Sequence, residues 1–361
     1  MKVIIVFFAF FFVVSAISFD LTFGLKFDDF KNQFGKVYKN EIELRIAEQA
    51  FNINLGIVTF INAMPGLAFK LGLNEYADKT FKTFQENFLG LVLPTDPSER
   101  GNRVENQNSG IQGRSVTEDY SSVTAPAAVD YRNYSMPVKN QKNCGSCWAF
   151  VVLGVLGECQ SFQAIDKQLK SSFIESRMMI SNSSYNTVLS EQFLVDCDTR
   201  DHGCNGGWPH NAINWIAKLA QGGVPATTSY QYYGFRTKCR ANVPKIPMNI
   251  NKTIQNNTAG NEDMMKEIVG SVGPVAAVIS VTSYFQLYKS GIFYDSTCSS
   301  NCSSVNHAVI IVGYGTDQAT NTDYWIVRNS WGTTWGQEGY AYMSRNKGNN
   351  CNIACYAMYV L

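Results

Sequence analysis

A chain of 361 residues with 45% hydrophobic and 16% charged residues is long enough for two or three domains and apolar enough for a real core. Its formal net charge is only +1, with no long Lys/Arg run and no Gly-rich phosphate loop, so nothing points to nucleic acid or an anionic membrane as a partner.

The chain opens on Lys2, an apolar run over 3–14, and then Ser15 and Ala16. A basic start, a run too short for a bilayer and small residues at a cut predict a secretory signal over 1–16 and no membrane attachment after its removal. Phe27, Phe30 and Phe34 recur at three and four, the spacing of one helix face. Phe51, Leu55, Val58 and Ile61 extend that period, so 26–62 reads as helical. Residues 95–124 are polar and aperiodic and predict an exposed linker, where a proteolytic cut belongs. From about 125 the texture becomes short β-rich runs, glycines and tyrosines. One strong helix is predicted over 147–165, and strands over 275–281, 308–312 and 324–327.

All 10 cysteines lie between Cys144 and Cys355, which suggests a disulfide-bonded domain behind a segment of a different kind. Asn133, Asn182, Asn251, Asn256 and Asn301 stand in glycosylation sequons.

A nucleophilic thiol needs a lowered pKa and a nearby base. Cys147 follows Gly145-Ser146 at the start of a predicted helix, where unpaired N–H groups favour thiolate. Ten cysteines can also all pair, so their parity leaves a half-cystine at 147 open. Only three histidines exist. His307 begins an apolar strand and is the favoured base. His202 sits in a polar Gly-rich loop, and His210 follows Trp208-Pro209 without an evident proton-transfer role.

The run Gln141-Lys142-Asn143-Cys144-Gly145-Ser146-Cys147-Trp148-Ala149-Phe150 resembles the nucleophile segment of the papain family. Asn306-His307-Ala308 with Gly313-Tyr314-Gly315 resembles its histidine segment, and Tyr324-Trp325-Ile326-Val327-Arg328-Asn329-Ser330-Trp331-Gly332 its asparagine segment. Leu189-Ser190-Glu191-Gln192, Asp196-Cys197 and Gly203-Cys204-Asn205-Gly206-Gly207 fall between them in family order. The likeness is to the cathepsin L-like branch and covers nearly the whole chain after the signal.

That resemblance implies an α+β fold of two lobes, one helical and carrying Cys147, the other a β-barrel carrying His307 and Asn329. It implies a cysteine endopeptidase made as a zymogen. Cys147 is the nucleophile, His307 the base, Asn329 the residue that orients the imidazole, and Trp331 its shield from water. Gln141 and the Cys147 N–H form an oxyanion hole. The implied disulfides are Cys144–Cys204, Cys197–Cys239 and Cys298–Cys351, with an added bridge expected between Cys302 and Cys355 and a free thiol at Cys159. The implied partners are peptide or protein substrates, the chain's own propeptide and cystatin-like inhibitors; the implied state is a monomer in the lysosome or outside the cell, with no cofactor and no metal.

The front of the chain fits the same likeness. Glu43, Phe51, Asn54 and Asn62 fall at ERFNIN spacing, with Ala47 for its Arg and Val58 for its Ile. Gly72-Leu73-Asn74-Glu75-Tyr76-Ala77-Asp78 resembles the companion GNFD motif. An inhibitory propeptide is therefore expected over 17–124 and a mature enzyme over 125–361. With Ala47 in place of Arg one family ion pair weakens, so a less stable pro-form is expected.

By alignment the main specificity pocket has walls at Trp208, Pro209, Val278, Asn306 and Ala308 and a floor at Tyr356. A tyrosine floor shortens it, so Val or Leu is expected over Phe. Residues 166–185 form an insertion relative to the family, expected as a surface loop. A catalytically dead binding homologue is the alternative from another class; the presence of Gln141, Cys147, His307 and Asn329 stands against it.

Overall fold

The computed structural model describes residues 26–103, 125–165, 187–219, 223–248, 250 and 253–360, with the side chains of 157–165 outside that set. The expected signal, the insertion at 166–185, Cys159, Asn182 and Asn251 therefore lie outside the described residues or side chains.

Helix α1, Phe27–Phe34, ends at Gly35, whose left-handed backbone (φ 59°) suits a residue without a Cβ. Helix α2, Glu41–Ala63, starts at Asn40, whose side chain accepts from the Glu43 N–H at 2.9 Å. Its inward face is Ala47, Ala50, Phe51, Asn54 and Ile61. Asn62 brackets Leu71 by accepting from its N–H and donating to its carbonyl, both at 2.9 Å, which ties α2 to strand β1, Phe69–Leu71. Helix α3, Phe81–Phe88, follows, capped by Thr80. The expected linker is only partly irregular: 97–100 make a 3-10 turn, and β2, Asn102–Arg103, is a strand.

Strand β3, Val129–Asp130, precedes α4, Cys147–Ile165. Residues 147–156 of α4 are buried on every side, as expected of an apolar helix at the centre of a lobe. Helices α5, Glu191–Cys197, and α6, Pro209–Lys218, pack with it, and the short strands β4, Gly223–Val224, and β5, Ile246–Pro247, pair beside them.

The second lobe is a twisted sheet with helices α7, Glu262–Val272, and α8, Ser283–Gln286, against it. Its strands are β6, Thr253–Asn257; β7, Val275–Ile279; β8, Tyr288–Phe293; β9, His307–Asp317; β10, Thr322–Arg328; β11, Tyr340–Ser344; and β12, Tyr356–Val360. The order across the sheet is β1-β8-β11-β10-β9-β7-β12-β6-β2, with β3 added on β9. This corrects the barrel expectation. Among the described residues the path is open, and β1 and β2 end it without pairing to each other. Both end strands come from the first hundred or so residues, so the front of the chain completes the sheet at either side.

Four disulfides join Cys144–Cys204, Cys197–Cys239, Cys298–Cys351 and Cys302–Cys355. Cys147 is the free cysteine among the described residues. No helix among them is long and apolar enough to cross a membrane.

Candidate active site

The two lobes meet where α4 begins and where β9 begins. Cys147 is the first residue of α4, and His307 the first of β9. Both are fully buried. The Cys147 thiol lies against the backbone amides of Ala308, next to His307, and of Gly90, from the front segment. The His307 Nε2 is 2.8 Å from the Oδ1 of Asn329, just beyond β10. That bond fixes the ring and leaves Nδ1 as the nitrogen without a partner. Trp331 stacks on the imidazole with ring centroids 4.7 Å apart, excluding water from the His307–Asn329 bond.

Gln141 is held beside them. Its Oε1 accepts from the Ser330 hydroxyl at 2.6 Å, and its Nε2 donates to the carbonyls of Cys144 at 2.8 Å and Phe88 at 2.7 Å. Tyr232 supports this turn by donating its hydroxyl to the Gln141 carbonyl at 2.7 Å, with the Ser146 hydroxyl also 2.7 Å away.

After α3 ends at Phe88, residues 89–92 run through the cleft as extended chain. Gly207 donates to the Gly90 carbonyl at 2.9 Å, Val92 donates to the Gly207 carbonyl at 3.0 Å, and Leu91 donates to the Asn306 carbonyl at 3.3 Å. The pairing of Leu91 with Gly207 is parallel. A Cβ at Gly90 would stand 1.9 Å from the Gly145 carbonyl oxygen, so only glycine fits there. Sequence reasoning did not single out this residue. The signal was available: one glycine inside the apolar run Phe88-Leu89-Gly90-Leu91-Val92 marks a close backbone approach.

Covering sets the electrostatics. Burial pushes the Cys147 thiol up to about 11, although amides of Ala308, Gly90, Trp148 and Cys147 itself pull the other way. Burial pulls the His307 imidazole down to about 4, only partly opposed by its bond to Asn329. In this covered state the neutral thiol and neutral imidazole are the favoured forms.

Of the residues expected to line the specificity pocket, Trp208 caps α6 and Pro209 is its first residue. Val278 and Ala308 are cross-strand partners on β7 and β9. Asn306 brackets Val281 with its side-chain amide. Tyr356 opens β12 and meets the Trp208 ring edge-on, centroids 5.3 Å apart. The Trp208 indole donates to the Gln255 side chain at 2.8 Å. Of the other histidines, His202 is exposed and His210 is half-buried on α6.

The front segment is bolted to the second lobe by aromatic rings. Tyr76 donates its hydroxyl to the Trp331 carbonyl at 3.0 Å, and Phe84 meets the Trp331 ring edge-on at 4.9 Å. Asn74 donates to the Gln286 carbonyl at 2.8 Å. Ala47 is buried inside α2, and Arg45 reaches only Glu41 on the surface. The buried Asp78 carboxylate is met by the Lys36 ammonium at 3.2 Å and by the Tyr38 hydroxyl at 3.0 Å.

Residues 125–361 match the profile of the papain family cysteine protease, and residues 27–84 match the cathepsin propeptide inhibitor domain. The chain is 35% identical to the thiol protease aleurain of Arabidopsis thaliana, over 93% of this chain and 83% of that one. It is 35% identical to a cathepsin L of Sarcophaga peregrina, over 91% and 90% of the two chains. Among solved structures, a digestive procathepsin L2 proteinase from Tenebrio molitor larval midgut superposes with a TM-score of 0.77 at 29% identity, covering 93% of this chain and 98% of that one. A helical lobe and a sheet lobe meeting at a buried cysteine and histidine, with the front segment lying across them, agree with these matches: the chain belongs to the papain family of cysteine proteases and carries its own propeptide inhibitor domain.

Proposed function

We propose that the chain, once its front segment is removed, is an endopeptidase that cleaves peptide bonds through Cys147 and His307. The observation that carries this reading is the His307–Asn329 bond, which leaves the other imidazole nitrogen free in the cleft that holds the Cys147 thiol. When the cleft opens to water the burial penalty on both groups falls, the thiol pKa drops and the imidazole pKa rises. A proton then passes from Cys147 to His307. Thiolate sulfur adds to the substrate carbonyl carbon, and the oxygen takes the negative charge. The Gln141 Nε2 donor, which now holds the Phe88 carbonyl, and the Cys147 N–H meet that charge. The C–N bond breaks as His307 gives its proton to the leaving amine. Water, deprotonated by His307, then hydrolyses the thioester.

The substrate backbone docks on Gly207, where Gly90 and Val92 now lie. The pocket of Trp208, Pro209, Val278, Asn306, Ala308 and Tyr356 takes the second residue upstream of the cut, with Val or Leu preferred over Phe because Tyr356 stands against Trp208. Residues 1–16 direct the chain into the secretory pathway, toward the lysosome or the exterior. The front segment, 17–124, is cut away shortly before 125. Glycans belong at Asn133 and Asn301, which are exposed, whereas Asn256 is half-buried and donates to the Tyr359 hydroxyl at 3.2 Å. The enzyme acts as a monomer open to cystatin-like inhibitors.

The test is to acidify the full chain beside a Cys147→Ala variant and follow chain size and hydrolysis of a peptide with Val or Leu in the second upstream position. Shortening and hydrolysis by the wild type alone are expected. Hydrolysis by the variant, or none by the wild type after another protease removes the front segment, would refute the reading.

A further inference from the structure

Two carboxyl groups that this reaction does not use lie between α5 and α6. Asp198 ends α5, and Asp201 follows in the loop that leads to Gly206 and Gly207. Both are buried, at 1% and 6% exposure. One oxygen of each is bonded to backbone. Asp198 Oδ1 accepts from the Arg200 N–H at 2.7 Å, and Asp201 Oδ1 accepts from the Trp208 N–H at 2.8 Å. The second oxygen of each, Oδ2, is buried with no hydrogen-bond partner among the described residues. The two carboxyls act directly on one another, and the Asp201 amide also favours the Asp198 carboxylate. Carboxylates buried face to face repel unless a proton lies between them.

Arg200 acts on the pair, and two further charged or titratable groups lie near the same loop. The Arg200 side chain acts on both carboxyls, but the residue is exposed, so water screens it. His210, on α6, feels the same arginine and is kept neutral, its pKa pulled down to about 4 chiefly by burial. Arg236 lays its aliphatic stem over Gly203. None of these neutralises the pair from inside.

We propose that Asp198 and Asp201 share one proton between their Oδ2 oxygens, and that this proton holds Gly207 in the position from which it pairs with a bound peptide. The inference rests on the proposed docking of substrate backbone on Gly207. The mechanical link is short. A Cβ on Gly207 would stand 2.8 Å from both Cβ and Cγ of Asp201, and the next amide, Trp208, is bonded to the same carboxyl. Packing this close leaves no slack. When the proton leaves, the repelled Asp201 must press on Gly207 or release Trp208.

Burial raises both groups, and the charge of Asp198 raises Asp201 further, to about 8. An acid raised above its unfolded value contributes stability that is complete below the ordinary carboxyl range and is lost as pH rises through the raised value. The docking edge is therefore firmest in acid and loosens on the alkaline side.

The experiment measures KM and kcat of the activated wild type and of Asp201→Asn from about pH 5 to about pH 9. Asn is neutral at every pH and still offers a donor to Asp198. Wild-type KM should rise roughly fivefold or more toward the alkaline end, and Asp201→Asn should hold it flat. An infrared titration of the full-length Cys147→Ala chain needs neither activity nor a change at 201. It should show a protonated carboxyl persisting at neutral pH and lost above it. The absence of that carboxyl, or a flat KM in an active wild type, overturns this inference alone. A wild type inactive at every pH overturns the docking reading, and the link to KM with it.

Discussion

The side-chain amide of Gln141 donates from Nε2 to the main-chain carbonyl of Phe88 at 2.7 Å, so an oxygen of the front segment rests on a donor of the cleft. The same donor is proposed to receive the oxyanion once Phe88 leaves. Gln141→Ala should therefore lower kcat of the activated enzyme by about 10²–10³, with KM little changed. Steady-state kinetics on one peptide checks this; a change confined to KM would assign Gln141 to binding alone.

Covering by residues 88–92 predicts a silent thiol in the precursor. With Cys147 raised to about 11 by burial, the thiol is the favoured form at neutral pH. Iodoacetamide should label Cys147 in the activated enzyme orders of magnitude faster than in the precursor. The pH profile of labelling should move to lower pH on activation. Equal rates in the two forms would mean that the front segment does not hold the pair neutral.

Lys36 and Asp78 bind α1's exit to the loop before α3. Burial lowers the Lys36 pKa, and the Asp78 carboxylate is its main offset. Asp78→Asn leaves that ammonium without its carboxylate and should cost the precursor about 3 kcal/mol, toward the low end for a broken buried pair because Lys36 is partly exposed. A front segment weakened at this pair should also come away more readily, so this variant should activate at a higher pH than wild type. Denaturant unfolding in a Cys147→Ala background measures the first effect, and the pH of chain shortening the second.

Tyr356 meets the edge of Trp208, where it is proposed to close the specificity pocket. Tyr356→Ala should deepen it and shift kcat/KM toward Phe over Val at the second upstream residue by roughly 10- to 200-fold, the range of one to three kcal/mol in an apolar pocket. A peptide library profiled on both forms shows the shift. An unmoved preference would place the floor elsewhere.

Some of this was legible in the sequence because it is local. Cys147 follows its Gly-Ser turn, His307 heads an apolar run, and Asn329 sits in a tryptophan-flanked segment. Each helix predicted from its period is present, and α2 carries Phe51 and Asn54 on its buried face. What required three dimensions is non-local. The sheet was expected to close, yet closure depends on which strands meet at the ends, and no residue pattern within a strand encodes that. Lys36 meets the buried Asp78 carboxylate from another turn, a pairing of residues far apart in sequence that no local pattern shows. The 97–103 stretch looked like linker because its composition is polar, although Asn102 and Arg103 pair with β6. Asp198 and Asp201 carry no sequence signal, since burial is what makes two ordinary aspartates a pair.

The place of β1 and β2 in the sheet has a consequence for the enzyme's life after activation. On the proposed division of the chain both strands leave with the front segment, and the backbones of Tyr288, Ser290 and Gly291 on one side and of Asn256 and Asn257 on the other lose their partners. Unpaired strand edges accept whatever extended chain comes next. Activation thus exchanges an inhibited but sealed molecule for a working one with two adhesive margins. Their shortness is its protection: with two or three residues to offer, neither margin can hold a neighbour as firmly as the segment it has shed.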